Sequence, residues 1–194
     1  MISLVKPPKD YVIYDNRRYS FKPYYNRVLV LIFEVLPDKF LSDAEKIEIS
    51  IRALSDDAPV SVGIFELLMH ELFPRTKRQG NTDERYFDFE QDADIIYSAF
   101  MQTYGIDLLK ERNRLDWRVF NALLQGLPEG TEFSRIVKLR ATKLPKRTKE
   151  NAAYVDSLAA AKRAVALKRP EGERKQRLAE AWKNIARGLA NGRR

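Results

Sequence analysis

Residues 104–127 read YGIDLLKERNRLDWRVFNALLQGL, and the fold is decided there. The stretch holds the first of two tryptophans, a glycine that breaks one helix from the next, and the clearest helical pattern ahead of the C-terminal region. Leu115, Phe120, Leu123, Leu124 and Leu127 recur at helical spacing, with Trp117 and Val119 beside them. So wide an apolar face predicts a helix packed by neighbours on several sides. Nothing in the stretch has the look of a catalytic centre.

On its N-terminal side, residues 88–103 read as a helix. Asp88 serves as the cap, Gln91 stands at the third helical position, and the acidic side chains of the first turns suit the positive helix end. Ile95, Ile96, Ala99, Phe100 and Thr103 form the buried face, and Gly105 ends the helix as a C′ residue. On its C-terminal side, Pro128-Glu129-Gly130 is a turn, and Thr131 caps a helix over 132–141 with Phe133, Ile136, Val137 and Arg140 around its faces.

Further out, Tyr11–Tyr14 favours strand, Asp15-Asn16 favours a turn, and Tyr19 and Phe21 alternate with polar residues, which predicts a short hairpin. Such a hairpin is marginal alone and must lie on the helices. Residues 24–36 are apolar on most sides and end before Pro37, as in a buried helix. Ser42 and Glu45 complete a capping box for a helix whose stripe is Ala44, Ile47, Ile51 and Leu54. After the break at 55–61, residues 62–73 contribute Ile64, Phe65, Leu67, Leu68, Leu72 and Phe73 to the core. His70 lies in this helix as a surface or packing residue. The charged stretch 74–86, begun by Pro74 and softened by Gly80, reads as a loop.

The chain of 194 residues has room for one domain and an appendage. It has no cysteine, so disulfides and thiolate metal sites are excluded, and a single histidine removes most histidine chemistry. Asp88, Glu90, Asp92 and Asp94 resemble half a calcium loop. Ala93 stands where that loop needs glycine, however, and Ala99 where it needs a bidentate glutamate. No nucleophile motif or glycine-rich phosphate loop accompanies these carboxylates, so no enzyme, cofactor or metal is expected. No apolar leader opens the sequence, and the longest apolar run, 28–33, is far too short to span a bilayer.

Charge is unevenly placed. From Lys138 onward there are 17 Lys/Arg against 5 Asp/Glu, while residues 1–137 hold 18 against 22. The expected organisation is therefore mainly α: a flexible lead (1–10), a compact helical body with an N-terminal β-hairpin (11–144), and a basic, Ala-rich helical arm (145–194). Residues 151–168 have high helix propensity, and Pro170 and Gly172 break the arm. Beyond them Leu178, Ala181, Trp182, Ile185 and Leu189 share one face of a basic amphipathic helix. Three uses of that helix stand open: docking on the body or a sister subunit, binding an anionic polymer or membrane surface, or ordering only on a partner. No stacking platform or recognition motif favours nucleic acid specifically.

The chain resembles the small tail-assembly proteins of long-tailed phages and prophages of Gram-positive hosts. The resemblance is carried by DADIIYSAF (92–100), YGIDL (104–108) and WRVFNALLQGL (117–127), with LSDAEK (41–46) upstream and Phe133, Ile136 and Arg140 downstream. Asp116 departs from the histidine expected before the tryptophan. The resemblance covers about 11–142. It implies a tail assembly chaperone that coats the tape-measure protein in many copies, self-associates, and yields to the major tail subunit. It also implies a host-cytoplasmic protein absent from the mature virion. Phe100, Trp117, Phe120 and Leu124 are then expected to line a client groove, with Leu178, Trp182 and Ile185 as a second partner-binding face. The other readings are a structural tail or connector protein of the virion, and a nucleic-acid-binding accessory that uses the basic arm.

Overall fold

The computed structural model describes residues 8–73 and 86–168. The expected mainly α architecture with an N-terminal hairpin is what the chain adopts. It divides into two units, the first built from 8–73 and 111–122, the second from 86–110 and 123–168. The lead before residue 8, the loop over 74–85 and the arm beyond 168, with Leu178, Trp182 and Ile185, lie outside the described residues.

In the first unit, β1 (Tyr11–Tyr14) and β2 (Arg17–Ser20) pair antiparallel, Tyr14 opposite Arg17 and Val12 opposite Tyr19. The two-residue loop has positive φ at both Asp15 (49°) and Asn16 (59°). That is the turn whose twist matches a hairpin, and Asp and Asn tolerate it. Val12 and Phe21 are buried. Tyr14 covers Gly63, where a Cβ would lie 2.7 Å from the Tyr14 hydroxyl, so glycine permits this approach.

Helix α1 (Tyr25–Val30) runs into a π-helical turn over Leu31–Val35. Its wide spacing shows in the Leu36 amide, which donates to the Leu31 carbonyl (2.9 Å). The sequence predicts helix over this span but gives no sign of the π turn. Helix α2 (Asp43–Leu54) opens with the expected capping box: the Ser42 side chain takes the Glu45 amide and the Glu45 carboxylate takes the Ser42 amide. Its buried side chains are Ser50, Ile51 and Leu54, while Ala44 is exposed and Ile47 half-buried, so the stripe is narrower than predicted. Helix α3 (Val62–Leu72), capped by Ser61, buries Ile64, Phe65, Leu68, Met69 and Leu72. His70 is exposed.

In the second unit, α4 spans Ala93–Tyr104. The predicted start at residue 88 is too early. The Asp88 carboxylate takes the Glu90 and Gln91 amides, closing a separate turn, and Asp92 occupies the N-cap position. Gly105 ends the helix as expected, at φ 66°, with its amide on the Met101 carbonyl and the Ile106 amide on that of Phe100. Helix α5 (Trp117–Gln125) begins in the first unit and ends in the second. Helix α6 (Glu132–Ala141) is capped by Thr131, whose hydroxyl takes the Ser134 amide. Helix α7 (Ala152–Ala164) packs on α6 and buries Val155. No helix of the described residues is long and apolar enough to cross a membrane.

Candidate functional site

Trp117 and Phe120 come together in the first unit. Their rings stack with centroids 5.8 Å apart, Phe120 stacks in turn on Tyr25 (4.9 Å), and Phe73 meets Trp117 edge-on (6.2 Å). Local backbone sets this column. The Trp117 amide donates to the Pro23 carbonyl (2.7 Å) and the Tyr25 amide to the Leu115 carbonyl (3.0 Å), so the starts of α1 and α5 are pinned side by side. Asp116, the departure from the expected histidine, is used at once: its carboxylate holds the Arg118 guanidinium through both oxygens.

Phe100 and Leu124 belong to the core of the second unit. Phe100 meets Tyr104 edge-on (5.7 Å), and the Tyr104 hydroxyl donates to the Leu123 carbonyl (2.9 Å). The Tyr97 hydroxyl donates to Asp107, which also takes the Leu109 amide. Burial works against the Asp107 charge, but hydrogen bonds from Lys110, Leu109 and Tyr97 outweigh it and hold the carboxyl below its ordinary value. Tyr97 moves the other way, raised by burial and by the neighbouring Asp107 charge.

All four aromatic and aliphatic candidates are thus enclosed, none more than 6% exposed. Cutting any buried Phe back to Ala costs roughly 3–5 kcal/mol. Contact of another molecule with these side chains would require the packing to open.

The polar centre that sequence patterns do not reveal lies at Arg140. Its guanidinium meets both oxygens of Asp92 (2.6 and 2.9 Å) and also donates to the Val165 carbonyl (2.6 Å) and the Tyr86 carbonyl (3.1 Å). Asp92 in turn accepts the Asp88 amide. Lys162 donates to the Arg140 and Thr142 carbonyls, covering the end of α6. A cavity of about 350 Å³ opens here, lined by Tyr86, Arg140, Ala141, Thr142, Lys143, Lys162, Ala166 and Leu167. Its cations are largely engaged by protein acceptors, which makes the arrangement a clasp between chain segments. Of the acidic run that resembles a calcium loop, Asp88 is spent on the Glu90 and Gln91 amides and Asp92 on the Asp88 amide and Arg140, while Glu90 and Asp94 are exposed. Among the described residues no group of three or more His, Cys, Asp or Glu is placed to hold a metal.

The signature residues therefore act on the scaffold: buried Asp92 paired with half-buried Arg140, Tyr97 with Asp107, Tyr104 and Gly105 at the end of α4, Trp117 and Phe120 in the column. A small helical phage protein is the class to which such a fold and signature belong. The chain matches the family described as Bacteriophage Gp15 protein over residues 9–167, and it is a member of that family. No curated protein and no solved structure matches it.

Proposed function

We propose that this phage protein is a tail assembly chaperone: a non-enzymatic, self-associating binder that coats the tape-measure protein in the host cytoplasm until tail-tube subunits replace it. The observation that carries the reading is the run of tail-assembly signature residues, 92–127 with Arg140, inside the region matched to the phage family. The physics suits it. A tape measure offers amphipathic helices over a great length, and a coat of many copies needs individually weak apolar contacts that can be displaced.

With Phe100, Trp117, Phe120 and Leu124 enclosed, client contact falls to apolar side chains that face water. In the first unit Phe40 is 98% exposed, and in the second Leu109 is 66% exposed. Co-expression with the tape-measure protein of the same phage tests the reading. The tape measure is expected to stay soluble and to co-purify with the chain, and the Phe40→Ser and Leu109→Ser variants to lose capture while remaining folded. A tape measure that aggregates equally with and without the chain defeats it. So does recovery of stoichiometric chain from finished particles by mass spectrometry, which is the result a structural tail protein gives.

A further inference from the structure

Among the described residues the hairpin has an open edge with a defined phase. Even-numbered residues of β1 face β2: Val12 pairs with Tyr19, Tyr14 with Arg17, and the Asp10 carbonyl takes the Phe21 amide. The backbone groups of Tyr11 and Ile13 therefore point away from β2. Neither residue's backbone has a hydrogen-bond partner among the described residues. Ile13 is 54% exposed, although a four-residue strand in a two-stranded sheet is where such a side chain is hardest to justify. On the same outer face, the Arg18 guanidinium lies over the Tyr11 ring (4.8 Å).

We propose that β1 pairs antiparallel with β1 of a second copy, with the two-fold axis at Val12, closing two hairpins into one four-stranded sheet. This register follows from three observations. It alone sets both outward-facing residues of each copy against one another, Tyr11 opposite the partner's Ile13, so that all four residues exchange backbone hydrogen bonds. It lays an aromatic ring beside a β-branched side chain on the outer face, a favourable cross-strand pair. It also places Lys9 opposite the partner's Asp15, and both are exposed and make no ion pair among the described residues. The ladder stops at Tyr11, because the Lys9 carbonyl is taken by Arg118 (2.9 Å). Lys9 then contributes only its side chain, and the contact is short and reversible. As a contact between copies lined along a template it rests on the reading above, but it is measured without client, so the two fail separately.

Sedimentation of the full chain over rising concentration tests the pairing. A monomer–dimer equilibrium is expected, with the Tyr11 and Ile13 amides slowing in hydrogen exchange as dimer forms. Ile13→Pro removes an amide that bonds nothing among the described residues of one copy, and it is expected to weaken the dimer about tenfold or more with an unchanged circular dichroism spectrum. Lys9→Glu sets like charges opposite each other and weakens it about fivefold, and Asp15→Asn added to Lys9→Glu recovers most of the loss. Should Ile13→Pro fail to fold, the charge pair decides. A chain that stays monomeric to about 1 mM overturns the pairing, as does a dimer indifferent to Lys9→Glu.

Discussion

Arg140 shows what a single side chain does in the second unit. Its guanidinium bonds the Asp92 carboxylate and two carbonyls that lie far apart in the chain, at Tyr86 and Val165. Both charged side chains are nearly enclosed, Arg140 at 12% and Asp92 at 4% exposure. Removing one member strands the other away from water, which costs roughly 3–5 kcal/mol, whereas replacing both by apolar groups of similar volume is often close to neutral. Arg140→Met is therefore expected to lower unfolding free energy by that amount in urea titrations. Adding Asp92→Leu is expected to return much of it. If the two losses simply add, the pair is not coupled. Local pattern displays Asp92 as one of an acidic run near a helix start and Arg140 as the last arginine of a basic helix, and the family resemblance marks both without pairing them. Nothing local couples residues 48 apart. The aromatic candidates were legible as apolar and large, but a helical stripe cannot tell enclosed packing from an open groove, because both need the same residues.

Helix ends were the elements the sequence specified best, because a cap is a local event. The capping box at Ser42 and Glu45 has a pH consequence. Hydrogen bonds from the Ser42 hydroxyl and then the Ser42 amide hold the Glu45 carboxyl below its ordinary value of 4.5. A depressed carboxyl favours the folded state above its unfolded value and loses that contribution as pH falls through the folded one. Asp57 behaves likewise, lowered by the Ser20 hydroxyl and amide. Stability is thus expected to decline on the acid side of about pH 4.5, and Ser42→Ala to flatten that decline while Glu45 moves up toward its ordinary value by NMR, the backbone amide at 42 still holding it partly down. An unchanged Glu45 titration in Ser42→Ala refutes the assignment. At the other end of α4, Gly105 sits at φ 66°, with open space where a Cβ would go. Gly105→Ala is therefore a test of backbone conformation alone, expected to cost about 1–2 kcal/mol in thermal or urea unfolding. Two element boundaries escaped sequence reading. The π turn at Leu31–Val35 lies inside an apolar run whose composition is the same for either spacing. The start of α4 was misplaced because Asp88 caps a turn with the same side-chain chemistry that starts a helix.

At the scale of the whole molecule, the sequence conveyed helices, a hairpin and a charge step near Lys138, and these set the class correctly. It did not convey that, of the described residues, 8–73 and 111–122 share one unit while 86–110 and 123–168 share the other. Contacts of that kind depend on shape across long separations, and charge composition is silent about them. The step from mildly acidic to basic makes everything after Lys138 look alike, yet α7 is bound into the second unit by specific groups. Val155 is buried, the Val165 carbonyl accepts from Arg140, and the Lys162 ammonium covers the carbonyls of Arg140 and Thr142. Losing these means losing one buried apolar side chain and several hydrogen bonds to charged groups, together roughly 3 kcal/mol or more. A chain ended after Leu144 is therefore expected to show faster amide exchange across α4 and α6, while α2 and α3 keep their protection. A chain ended after Lys168 retains every contact described here and is expected to exchange like the full chain in both units. If the shorter chain keeps full protection in α4 and α6, α7 is a mere appendage and the clasp at Arg140 holds nothing together. If both chains capture the tape measure equally, client binding resides in the two units and the basic residues beyond 168 serve some other contact.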